Sequence, residues 1–155
     1  MSWHKLIFMA VMLPLTACAG GERAEVEVGE QLELEELARG TQSRVSSESM
    51  TVIRDAEAFE GIWRQAGQRG EPPAVDFEQF MVIAAFMGER RTGGYTVRVR
   101  SAERNEEGLK VRVRMEAPGR NCMVTQAFTQ PFHLVRLPRV EGAVDFEVNQ
   151  ETVDC

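Results

Sequence analysis

Histidine is nearly absent from this chain of 155 residues: there are two, beside three cysteines and a single tyrosine. A zinc site needs three or four nitrogen or sulfur ligands. Once the N-terminal segment discussed below is set aside, only His133, Cys122 and Cys155 remain. No metal and no cofactor is therefore expected. The sequence holds no G-x-S-x-G, no G-x-x-x-x-G-K-[ST] and no G-x-G-x-x-G, so a nucleophile elbow and the common phosphate cradles are absent. His133 lies in the extended segment Pro-Phe-His-Leu-Val and reads as a structural strand residue, which leaves no catalytic residue to name and no enzyme to expect. Basic excess is missing too. Lys and Arg number 18 against 24 acidic groups, a formal charge of −6, which speaks against general nucleic-acid binding. No apolar run approaches the roughly 20 residues that a membrane-spanning helix requires.

What is present begins at the N-terminus. Leu6 to Leu15 is uncharged and apolar behind Lys5, the pattern of a bacterial export signal. It ends Leu15-Thr16-Ala17-Cys18, which resembles a lipobox, with small residues before the cysteine whose thiol receives the lipid. Residues 1–17 are thus expected to be a lipoprotein signal peptide and Cys18 the lipidation site. Several buried acyl chains, at about 0.8 kcal/mol per methylene, would hold the protein on a membrane. The reading places the domain on the exported side of a bacterial envelope. Ala19 leans toward the outer membrane where there are two. Residues 18–30 read as an acidic tether and residues 31–155 as one domain.

Cys122 and Cys155 then form an even pair in an oxidising compartment, and a disulfide between them is expected, with Cys155 pairing to another chain as the alternative. Charge is uneven along the chain. Residues 88–139 carry 11 basic and 5 acidic groups, and residues 140–155 carry 5 acidic groups and no Lys or Arg.

Asp55 suits an N-cap, and Phe59, Ile62, Trp63 and Ala66 fall at helical spacing, which predicts an amphipathic helix over 56–66. Phe80 to Met87 is apolar at every position, as in a strand buried on both faces. Tyr95, Val97 and Val99, then Leu109, Val111, Val113 and Met115, alternate with polar residues around a turn at 105–108 and predict an antiparallel hairpin. Segments 132–137 and 144–148 add two short strands. The fold class is expected to be α+β, a mainly antiparallel sheet of about five to seven strands with one helix packed on it.

Two surfaces invite a binding role. The loop Arg90-Arg91-Thr92-Gly93-Gly94-Tyr95 is longer than a turn needs and holds two arginines. The outer face of the hairpin collects Arg98, Arg100, Lys110, Arg112 and Arg114, suited to an acidic partner or to anionic headgroups.

Pro72-Pro73, Val75-Asp76-Phe77, the run from Met81 to Gly88, Thr92-Gly93-Gly94-Tyr95, Pro118-Gly119, Thr125-Gln126 and Gln130-Pro131-Phe132-His133 together resemble the C-terminal domain of the PrcB family of protease-complex subunits, over about residues 40–148. The resemblance implies a non-catalytic envelope protein that binds a partner protein, a secreted protease, as an accessory or stabilising subunit. Two other readings stand beside it. The Thr-Gly-rich loop near Gln-Pro-Phe is locally similar to loops of chagasin-type protease inhibitors, and the basic face also suits an envelope structural or lipid-binding protein.

Overall fold

The protein is described by a computed structural model over residues 29–155; the proposed signal peptide, Cys18 and almost all of the tether lie outside the described residues. Eight strands and one helix follow in the order β1 (Gln31–Leu32), β2 (Glu35–Gly40), β3 (Ser49–Ile53), α1 (Ala56–Gln65), β4 (Phe80–Phe86), β5 (Thr96–Asn105), β6 (Gly108–Pro118), β7 (Phe132–Pro138) and β8 (Ala143–Val153). The expected single sheet of five to seven strands is corrected to two sheets of four, ordered β1-β5-β6-β8 and β2-β7-β4-β3. All pairings are antiparallel except β6 with β8, which run parallel.

The apolar run in β4 explains the second sheet. Successive strand side chains point to opposite faces, so an unbroken apolar strand needs cover on both. Met81, Ile83 and Ala85 face the first sheet, where Val97, Val99, Leu109, Val111, Val113 and Met115 meet them in one buried cluster. Val82, Ala84 and Phe86 face the other way, onto Phe59, Trp63 and Ala66 of the helical segment, with Phe132 and Leu134 of β7 beside them. The layers are therefore sheet, sheet and helix. Asp55 caps α1 by accepting the Ala58 N–H at 2.8 Å, Glu57 lies in the first turn, and the helix buries the face that its periodicity marks.

The hairpin keeps its expected inner row until Val99. There the ladder shifts between Val99 and Ser101, so that Arg100 is the extra residue of a bulge and Ala102 takes the next inward position. The turn entering β4 is set by Asp76, which accepts the Glu78 N–H at 3.0 Å and the Gln79 amide at 2.6 Å. The Gln79 hydrogen bond, followed by the Glu78 N–H, holds the Asp76 carboxyl below its ordinary range.

Candidate partner-binding surface

The segment after β4 and the segment before β7 form one unit at one end of the sheets. Arg90 and Thr129 exchange main-chain hydrogen bonds at 2.7 and 2.8 Å, the Gly93 N–H donates to the Thr125 carbonyl at 2.9 Å, and the Thr129 hydroxyl donates to the Thr92 carbonyl at 2.8 Å. Gly94 has φ +87°, and a Cβ there would meet Val124 and Pro118 at 2.9 and 3.0 Å, so glycine is the residue that lets the loops close on each other.

The six loop residues named from the sequence do not act alike in this geometry. The Arg90 guanidinium reaches Glu48 at 3.8 Å and lies 5.8 Å from the centre of the Tyr95 ring, which sets it as a brace on the loop. Arg91 and Gly94 are exposed, Gly93 is buried, and Thr92 and Tyr95 are half-buried. The second loop exposes Arg120 beside two apolar residues that periodicity did not mark, Met123 at 101% and Phe128 at 63% exposure. Their signal in the sequence is an apolar side chain in a turn-rich stretch with no partner at strand or helix spacing.

Cys122 and Cys155 are disulfide-bonded, with Cα atoms 5.4 Å apart. The bond holds the second loop to the end of β8. Gly29, at the other extreme, donates its N–H to the Arg104 carbonyl at 2.8 Å, near the far end of β5. A strand rises about 3.3 Å per residue, so the ten-residue β5 sets the loop pair roughly 30 Å from Gly29.

The hairpin face is separate from the loop pair and is largely neutralised. Lys110 lies 3.7 Å from Glu147, Arg112 lies 3.0 Å from Glu103 and 3.6 Å from Glu147, and Arg114 lies 3.0 Å from Glu116 and 2.6 Å from Glu151. Three of those four carboxylates come from β5 or β8, through the register of the sheet. Arg98 and Arg100 stand at the β5 margin of this face and take part in no ion pair among the described residues. The parallel pairing of β8 was not legible in the hairpin itself, and it is what sets Glu147 and Glu151 against the cations.

His133 sits between the sheets. Its Nδ1 accepts the Val99 N–H at 2.9 Å, and its Nε2 lies 3.0 Å from the Glu36 carboxylate. Nδ1 is thereby an acceptor and the proton sits on Nε2, directed at Glu36. Burial lowers the proton affinity of the ring, Glu36 opposes that effect, and Arg39 and Arg98 add to it. Among the described residues, no three side chains of His, Cys, Asp or Glu are grouped to hold a metal ion, and no helix is long and apolar enough to cross a membrane.

Two packed sheets under one helix, with a pair of zipped loops at one end, define a β-rich domain. Residues 81–138 match the family model described as PrcB C-terminal, a stretch that runs from β4 to β7 and contains both loops. The match supports the PrcB family over residues 81–138, inside the span of about residues 40–148 that the sequence motifs implied. No curated protein and no solved structure shows a significant match to the chain.

Proposed function

We propose that this is a non-catalytic lipoprotein of the bacterial envelope, anchored through Cys18, whose domain binds a partner protein and serves as an accessory subunit of a secreted protease. The family name, a protease complex subunit, supplies the class of partner. The observation that carries the reading is the loop pair: a braced, hydrogen-bonded platform whose two loops expose the apolar Met123 and Phe128 and the basic Arg91 and Arg120. Large exposed apolar side chains flanked by arginine are the composition of protein-binding centres. The loops lie at the opposite end of β5 from residue 29, so an N-terminal anchor would leave them facing away from the membrane.

Crosslinking and pull-down of the lipidated protein from its own envelope tests this reading, with Arg90, Arg91 and Tyr95 changed to Ala in one variant and Met123 and Phe128 changed to Ser in another. A secreted protease recovered with the wild type and lost with both variants supports it. Equal recovery of bulk envelope proteins in all three samples removes it.

A further inference from the structure

The two sheets have four edges, and three are guarded. β1 has only two residues, β2 carries a register shift between Glu36 and Ala38, and β3 has five residues. β8 differs from all of them. It pairs with β6 over eleven residues in unbroken register, has no proline and no lysine, and no strand lies on its other side among the described residues. A long regular edge is the kind that natural proteins blunt unless it is used.

The edge is also held still. None of its residues is fully buried, and Val144 and Phe146 alone pack against the core. The Ala143 N–H donates to the Glu107 carbonyl at 3.1 Å at its start, the Val153 carbonyl accepts the Gly119 N–H at 2.9 Å at its end, and the disulfide to Cys122 lies two residues further on. Both main-chain groups that face β6 belong to odd-numbered residues. In a regular strand the N–H and C=O groups alternate sides, so those of Val144, Phe146, Val148, Gln150 and Thr152 face the open side.

Side chains alternate as well. Asp145, Glu147, Asn149 and Glu151 form the row on the outer face, where Glu147 and Glu151 meet the cations of β6 on one side and Asp145 takes part in no ion pair among the described residues. Val144, Phe146 and Val148 form the row on the inner face, where Val144 and Phe146 reach the core while Val148 stays 37% exposed. Two copies of β8 paired edge to edge would set carboxylates against carboxylates, which opposes self-association. A segment with basic residues on one face and apolar residues on the other meets both rows.

We propose that the open edge of β8 receives an extended segment of the partner protein, alternating basic and apolar residues, as a fifth strand of the first sheet. Main-chain hydrogen bonds would give this interaction its strength, and selectivity would come from Asp145 and from Glu147 and Glu151, each of which would then stand between a cation of β6 and one of the added strand. The inference rests on the reading of a partner-binding domain and assigns it a surface distinct from the loop pair.

A peptide of about seven residues alternating lysine and valine is the probe, with a glutamate–valine peptide and an N-methylated lysine–valine peptide as controls, followed by fluorescence anisotropy and amide exchange. The lysine–valine peptide is expected to bind, to weaken as salt rises, and to slow exchange at Val144, Phe146, Val148, Gln150 and Thr152, while both controls fail. Val148→Pro removes a donor on the open side and leaves the β6 ladder whole, so it should weaken binding by at least about tenfold. Its thermal melting should stay near that of wild type, and Gln150→Pro serves as the second variant. Absence of binding at millimolar peptide, protection at other strands, or full binding by both proline variants overturns the proposal. The Arg90, Arg91, Tyr95 triple variant should still bind the peptide. A tip-dependent protease capture without peptide binding would thus remove the edge and leave the accessory-subunit reading in place.

Discussion

The Nδ1 atom of His133 accepts the main-chain N–H of Val99 at 2.9 Å, so a β7 side chain in the second sheet completes the backbone hydrogen bonding of β5 in the first. The bond exists only while Nδ1 is unprotonated. Burial lowers the ring's proton affinity in the folded state below the ordinary value of 6.5. The unfolded chain therefore binds the proton first as pH falls, and the stabilisation is complete above 6.5 and lost as pH drops through the lowered folded value. Urea unfolding between pH 7.5 and 5 should show a falling midpoint, and His133→Gln should flatten that slope. The substitution itself should cost about 1–3 kcal/mol by leaving the Val99 N–H without its acceptor.

Removal of the disulfide tests how β8 is held. Cys122 and Cys155 are 33 residues apart, and on the chain-entropy model closure of such a loop stabilises by roughly 3–4 kcal/mol. Cys155→Ser should lower the denaturation midpoint accordingly and speed amide exchange in the C-terminal half of β8 before it affects β4. Thiol titration of the unreduced wild type should find neither Cys122 nor Cys155 free.

The helical layer should be felt at one ring. Phe59 is 2% exposed and packs edge-on against Trp63 and Phe77, each with ring centroids 5.9 Å apart. Phe59→Ala should destabilise by about 3–5 kcal/mol. Trp63 emission should shift to the red while the first sheet keeps its amide protection.

Two glycine substitutions should act in opposite directions. Gly61 lies within α1 with nothing within 4 Å of an added Cβ, so Gly61→Ala should stabilise by about 0.5–1 kcal/mol. Gly94→Ala meets Val124 and Pro118 at a positive φ and should open the loop pair. Faster exchange at the Arg90 and Thr129 amides, read beside the global melting temperature, separates that local effect from unfolding.

The elements governed by short-range chemistry were readable in the sequence. Asp55 and the spacing of Phe59, Ile62, Trp63 and Ala66 marked α1, and the unbroken apolar run marked β4 as buried on both faces. The count of sheets was not readable, because an apolar strand demands two covers without saying that one is a second sheet. The bulge at Arg100 and the parallel course of β8 depend on long-range register. For that reason five cations that look like one basic face in the sequence become three ion-paired side chains and two at a margin. At the site, the glycine pair and Tyr95 announced the first loop. Met123 and Phe128 belong to a second loop, and the hydrogen bonds of Arg90 and Thr92 with Thr129 and of Gly93 with Thr125 bring the two together.

The separation of residue 29 from the loop pair along β5 also fixes how the domain carries force. A pull between Gly29 and a contact held at the loops runs along the strand axes, and ladder hydrogen bonds stand across those axes. The load falls on many of these bonds at once, as shear, instead of opening them one after another from an end. One path for that load runs from β1 into β2 and across its ladder to β7, which begins just after the second loop. On the proposed reading the domain would serve as a stiff strut between its partner and the membrane.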